Sequence, residues 1–464
     1  VELFGWLALA LAAVACAALT FGVWARRATY RRQLHYTPRA DYNYHLDAGT
    51  GRPVPVVWDA DGFSTTLPEG GASSFIRIRV VATWRGVVAD PHVEFESGGV
   101  TARQHFERNV RGVRCLNLSG VLGGTVGACR VRLRGAGCRW YPVDATLTAF
   151  ADGPRPDDRV LVVAPHPDDA EIAAFGLYSG TAAAVVTVTA GDASDRYRSV
   201  SPLTRNDVAR LRVWDSITVP KIGGVPPHRA LNLGYPDGRL PEMAAHPDRD
   251  VRGELDFGAL RALNLSDLVR EGGVCSWHSL VEDLVHVLVR FRPTVIVTPS
   301  PTHDSHPDHR HTTYAVCEAL RRSDLPDGRL FLSVIHNRWT ELYPFGPATS
   351  TASLPPNLEP SQGDWDGICS VPLSAERRAI KYMALEAMRD LREFPAPFPT
   401  ARVLLRRSLA ELKAAVHGMG TPPTSYLRRG PRPDEVFFVL GFRRAVELLP
   451  KWVAAEPGAD KKAQ

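Results

Sequence analysis

The chain has 464 residues, 44% of them hydrophobic and 23% charged, the balance of an ordered protein too long for one ordinary domain, so two folded units are expected. A formal charge of +5, with basic residues dispersed apart from Arg26, Arg27, Arg31 and Arg32, argues against nucleic acid as a partner. The seven cysteines include no C-x-x-C pair, which argues against a zinc ribbon and a dense disulfide framework.

In chain order, the first feature is an uncharged stretch from Leu3 to Ala25. As a helix it would span about 35 Å against a hydrocarbon core of about 30 Å. It lacks the basic start and short apolar run of a cleaved signal peptide. The expectation is a single-pass membrane anchor over residues 1–27, followed by a linker over 28–51. The arginines after it place the rest of the chain on the cytoplasmic side by the positive-inside rule, with an extracytoplasmic placement as the alternative.

Residues 52–150 carry short apolar runs separated by Gly, Pro, Asp and Ser. Phe75 to Val80 and His92 to Glu96 alternate strictly, and Val113 to Leu118, Val131 to Leu133 and Ala145 to Phe150 complete a series of predicted strands. A small β-sandwich accessory domain is expected, a surface on which a partner in glycan assembly could dock. Trp58, Trp84 and Trp140 could stack on sugar rings, though core aromatics are commoner in such a fold.

From Arg159 the pattern changes. Val160 to Ala164, Ala183 to Val188, Ala230 to Leu233 and Thr294 to Thr298 read as buried strands, and Glu171 to Gly180, Thr204 to Val219, Leu280 to Phe291 and Asp308 to Arg321 as helices between them. This alternation predicts an α/β fold over 151–450, a Rossmann-like parallel sheet with helices on both faces, before a disordered tail at 451–464. Ligands of such sheets bind beyond the carboxyl ends of the strands.

Two clusters stand at such ends: His166-Pro167-Asp168-Asp169 after the first strand, and His303-Asp304-Ser305-His306-Pro307-Asp308-His309 after the fourth. A catalytic zinc needs three protein ligands and one open position, which His166, Asp169 and His309 would supply. Asp168 is then a carboxylate able to take a proton from water, and His306 an imidazole able to give one to a leaving amine. Asp308 can fix a histidine tautomer through a second hydrogen bond. Either aspartate alone could be a helix N-cap, and a single His-Pro-Asp triplet means little, since His246-Pro247-Asp248 occurs in a polar stretch. Two such groups at two strand ends are hard to explain as caps. His303 and His311 read as solvated surface residues, with a place in the lining of the pocket as the alternative for each.

Val162 to Ile172 resembles the first signature of the PIG-L/LmbE-like zinc-dependent N-acetylglucosaminyl deacetylases, and His306-Pro307-Asp308-His309 resembles the second. Thr189-Ala190-Gly191-Asp192, Arg205 with its helix, Leu233 to Gly238 and a late helix from Leu373 to Arg392 extend the similarity to about Arg159–Leu440. The resemblance implies zinc on His166, Asp169 and His309, a general base at Asp168, and an acid or electrostatic partner at His306. It also implies an N-acetylated sugar substrate, on a glycan or glycolipid. Arg205 and Asp237 are expected to contact sugar hydroxyls. Asp304 stands where some members carry a tyrosine, and Ile172 to Gly176 is bulkier than the glycine-rich turn of many. Iron(II) or cobalt would suit the same ligands. Two other readings stay open, a metal-dependent hydrolase of another amide and a sugar- or nucleotide-binding accessory protein of glycan assembly. The second lacks the glycines that let backbone amides approach a phosphate.

Overall fold

A computed structural model describes residues 6, 13, 30–47, 49–193, 203–359, 364–392 and 425–456. The first part of the chain forms β1 (Arg52–Asp59), β2 (Gly62–Leu67), β3 (Ser73–Ala82), β4 (His92–Ser97), β5 (Val100–His105), β6 (Arg111–Asn117), β7 (Gly127–Ala136), β8 (Cys138–Pro142) and β9 (Thr146–Phe150). Alternation decides these strands: in β4, Val93, Phe95 and Ser97 point inward and the residues between them do not. The β4–β5 hairpin turns through Gly98 and Gly99, both at positive φ, as a two-residue loop that follows strand twist requires.

All nine strands belong to one antiparallel sheet, in the order β5-β4-β7-β2-β1-β9-β3-β6 with β8 also on β3. This corrects the expected small β-sandwich. Arg52 to Pro55 of β1 pair with β9, whereas Val56 to Asp59 pair with β2. One strand thus carries the hydrogen-bond ladder across what would otherwise be the gap between two sheets. The sheet curls around Phe63, Ile76, Ile78, Val93, Phe95 and Val131. Trp58 and Trp140 pack beside that core, with ring centroids 5.9 Å apart, and Trp84 is exposed.

The second part forms β10 (Arg159–Ala164), β11 (Ala182–Thr189), β12 (Ala230–Tyr235), β13 (Val295–Pro299), β14 (Arg329–Ser333), β15 (Gly367–Pro372) and β16 (Asp434–Gly441), in the order β12-β11-β10-β13-β14-β16-β15. The expected parallel Rossmann-like sheet is corrected here as well. The sheet is mixed, since β16 runs antiparallel to both β14 and β15, and with the nine-stranded sheet most strands among the described residues pair antiparallel. The period of two along β10 sends Leu161 and Val163 to one core and Val160 and Val162 to the other. The helices that matter below are α1 (Asp169–Tyr178), α2 (Arg205–Thr218), α3 (Leu240–Ala245), α4 (Trp277–Phe291), α5 (Pro307–Arg322), α6 (Ala375–Ala387) and α7 (Phe442–Ala454). Residues of α4, α5 and α7 pack on the Leu161 side, and those of α1 and α6 on the Val160 side.

The two sheets share a core. Tyr42, Tyr44, Phe75, Cys115 and Phe150 cluster with Trp365 and Phe438. Beside them Asn117 Nδ2 donates to Asp434 Oδ2 at 2.6 Å and to Ser370 Oγ at 3.0 Å. Cys115, Cys129 and Cys138 are free thiols.

The expected anchor over 1–27 lies outside the described residues except for Trp6 and Ala13. Among the described residues no helix is long and apolar enough to cross a membrane; α5, with 16 residues, carries charged groups at both ends, whereas spanning takes about 20 apolar residues. The expected single-pass membrane localisation is therefore not supported.

Candidate metal centre

The chain leaves β10 toward β11 on one side of the sheet and returns to β13 on the other. The divergence leaves a crevice beyond the carboxyl ends of these two strands. His166 to Asp168 form the turn after β10, and Asp169 opens α1; His306 is the N-cap of α5, with Asp308 and His309 in its first turn. Both helix starts are thereby aimed at one place.

There, His166 Nδ1 lies 3.1 Å from Asp169 Oδ2 and 3.2 Å from His309 Nε2, and His309 Nε2 lies 3.2 Å from Asp169 Oδ2. Tetrahedral ligands about 2.0–2.1 Å from a zinc ion stand roughly 3.3 Å from one another. The triangle has that size and all three residues are buried. Two facing ring nitrogens so close repel each other when both carry protons, whereas a divalent cation would satisfy all three donors, so the residues present fit such an ion.

The outer ring nitrogens are backed by carboxylates. His166 Nε2 lies 3.2 Å from Asp237 Oδ1 and 3.3 Å from Asp308 Oδ2. Asp308 is itself held by backbone donors, Gly238 N at 2.6 Å and Leu240 N at 3.2 Å. His309 Nδ1 lies 3.1 Å from Asp304 Oδ2, and Asp304 accepts from the amides of His306, Ile335 and His336 at 3.0, 3.0 and 3.1 Å. Such partners set the tautomer that leaves the inner nitrogen free to ligate.

The charges follow. Burial disfavours protonation of His166 and His309, but carboxylates outweigh it: Asp237, Asp169 and Asp308 hold His166 well above the usual imidazole value, and Asp304 and Asp169 raise His309 to about 10. Burial also opposes ionisation of Asp169, yet the two histidines hold its carboxyl well below the usual range. Asp168 is pushed well above that range by burial, against the pull of Arg212. Burial, with His166 and His309 nearby, pushes His306 down to about 4. These are the opposed shifts that acid–base sites carry.

A cavity of about 250 Å³ opens on the triangle, lined by His166, Asp168, Asp169, Asp237, His306 and, beyond the expected residues, by Arg212, His336, Asp390 and Tyr426. Asp168 is the N-cap of α1, but its side chain caps nothing, and its backbone sits at φ 112°. A non-glycine residue there costs roughly 1–3 kcal/mol. Arg205, nearly half exposed, does not reach the cavity; it pairs with buried Asp192, Nε to Oδ2 at 2.9 Å, and Asp192 accepts from the Asp237 amide at 2.8 Å. Asp237 itself turns to His166.

His303 is buried, not solvated: it stacks on Phe438 with centroids 4.5 Å apart and faces Tyr44 from the opposite end of the chain. His311 is half-buried and bonds Pro307 O. His246 follows α3, away from the site. Asp304 and His336 were not expected at the centre. His336 obeys the strand-end rule, three residues after β14, so Leu330 to Leu332 was the available signal. Arg212 and Asp390 left none, being single charges on helical segments.

Residues 161–320 match the family described as PIG-L: GlcNAc-PI de-N-acetylase, a stretch that holds both histidine clusters. This part of the chain is a PIG-L domain. The comparison with curated proteins found no match. Among solved structures, the chain is similar to the zinc-inhibited form of teicoplanin deacetylase Orf2, at 19% identity over 61% of this chain and 98% of that one, with a TM-score of 0.32. It is also similar to GalB, the 4-carboxy-2-hydroxymuconate hydratase of Pseudomonas putida KT2440, at 13% identity over 61% and 95%, with a TM-score of 0.31.

Proposed function

We propose that the chain is a metal-dependent N-deacetylase that removes the acetyl group from an N-acetylglucosamine-type glycan or glycolipid. Membership of residues 161–320 in the PIG-L family supports the substrate class. The observation that carries the chemistry is the triangle of Asp169, His166 and His309 beside a cavity that Asp168 and His306 also line.

A divalent cation on those three residues, zinc in the first instance, supplies Lewis-acid polarisation of the acetamide carbonyl and of water. Asp168, which burial makes a stronger base than an exposed carboxylate, takes a proton from water as the water oxygen bonds to the acetyl carbon. His306 is neutral at working pH, so it offers its N–H to the developing oxyanion rather than surrendering a proton. When the carbon–nitrogen bond breaks, the proton held by Asp168 passes to the amine nitrogen, and acetate and a free amino sugar leave. Asp308 and Asp237 hold His166, and Asp304 holds His309, so the rings need not reorganise. Arg205 acts on the sugar only through Asp192 and the Asp237 loop.

The test is to load the purified chain with zinc, incubate it with a panel of N-acetylhexosamine glycans and glycolipids, and score freed acetate with and without a chelator. Chelator-sensitive acetate release is expected. Stoichiometric zinc without acetate from any member would transfer the site to another amide substrate.

A further inference from the structure

We infer that Arg212 is the positioning residue that holds Asp168 over the metal centre, a role that rests on the reading of Asp168 as the general base. Asp168 occupies the position where an aspartate ordinarily caps a helix, yet it makes no cap hydrogen bond and takes a left-handed backbone at φ 112°. Such a conformation persists only where the surroundings impose it. Arg212 imposes it from α2, almost fully buried. Its Nη2 donates to Pro167 O at 2.7 Å, fixing the backbone one residue earlier, and lies 3.4 Å from Asp168 Oδ2. One nitrogen thereby meets both the peptide and the carboxylate, while the second nitrogen of the same planar group reaches Gly191 and Asp390, a spread that the single ammonium of a lysine does not cover.

The guanidinium is itself fixed from two other sides. Nη1 donates to Gly191 O at 3.3 Å and lies 3.5 Å from Asp390 Oδ2. A side chain at Gly191 would come within 2.8 Å of Arg212 Nε, so the bare glycine is what lets the guanidinium lie flat there. Asp390 arrives because Arg389 is bound to Asp215 of α2, its amide at 3.1 Å and its Nη1 at 2.5 Å. Charges alternate from Asp168 through Arg212 to Asp390, and all three groups face the cavity. Arg212 Nε is buried without a hydrogen-bond partner among the described residues.

The experiment compares zinc-loaded wild-type chain with Arg212→Gln and Arg212→Lys by crystallography, zinc content and acetate release from an N-acetylglucosaminide. Arg212→Gln should keep one zinc, while Asp168 relaxes to negative φ and its carboxylate swings to cap α1. Its kcat should fall at least tenfold with KM within about twofold. Arg212→Lys guards against a fold that does not survive the first change, and should show the same displacement to a lesser degree. Asp168 unmoved in both variants overturns the inference whatever the rates. Wild-type turnover by Asp168→Asn would instead remove the general-base reading, while the crystallographic comparison still decides whether Arg212 sets that residue's conformation.

Discussion

Replacing Asp304 by Asn tests whether the metal site is built by its supporting carboxylates as well as by its ligands. Asp304 is fully buried; burial works against its charge, but His309 and the neighbouring amides hold its carboxyl down at about 2. One oxygen meets His309 Nδ1 and the amides of Ile335 and His336, and the other meets the amide of His306. Asparagine can keep one of these oxygens. Its NH₂ must then face an N–H on the other side, leaving a buried donor unsatisfied at about 1–3 kcal/mol. Loss of the anion behind His309 should weaken the metal about 10- to 100-fold, which is about 1.4–2.8 kcal/mol at 1.4 kcal/mol per decade. Competition with a chromogenic chelator reads the affinity, and thermal unfolding of the metal-free chain reads the stability. Wild-type affinity with an unchanged melting temperature would refute the claim that Asp304 orients His309.

Other consequences are as definite. Asp168→Asn should retain zinc by elemental analysis while turnover drops about 10²- to 10⁴-fold; His309→Ala should lose the zinc itself. Phe150→Ala removes a ring lying between Phe75 and Trp365, at 6.1 and 6.4 Å, and should cost about 3–5 kcal/mol. Because both sheets share that cluster, signals from the two should unfold at one lowered denaturant midpoint, and two separated transitions would show independent cores. His105 is held neutral by burial, with help from His92 and nearby arginines, down to about 3. The unfolded chain protonates this ring near pH 6.5, so its contribution to stability is complete above that pH and is lost as pH falls toward 3. His105→Gln should therefore flatten the fall in stability over that window by up to about 1.4 kcal/mol per pH unit; parallel curves for the two proteins would count against it.

Local pattern was enough to find both histidine clusters. The buried strand before His166 is a continuous apolar run, and a chain leaving such a strand must place its next polar residues at the sheet's end, whatever lies around it. The same rule located His306, Asp308 and His309, and a strand of period two announced β3 and β4. Where information had to come from elsewhere in the chain, sequence was mute. The nine-stranded sheet closes into one ladder because β1 changes partner at Val56, and pairing of that kind leaves no mark on β1 itself. The mixed character of the second sheet depends on β16, more than 100 residues beyond β14. His303 looked like a surface residue because the groups that bury it, Tyr44 and Phe438, lie about 260 residues before it and 135 after.

Residue type and spacing along one turn determined which side chains could ligate an ion and which carboxylate could serve as base. Only the tertiary structure decided their orientation. Asp237 turns to His166, Asp304 stands behind His309, and Arg212 with Asp390 surrounds Asp168. The physical reason is that ligation depends on short-range chemistry encoded in neighbouring residues, whereas ring tautomers and a strained backbone are set by charges that the fold brings from distant segments into a buried site of low dielectric.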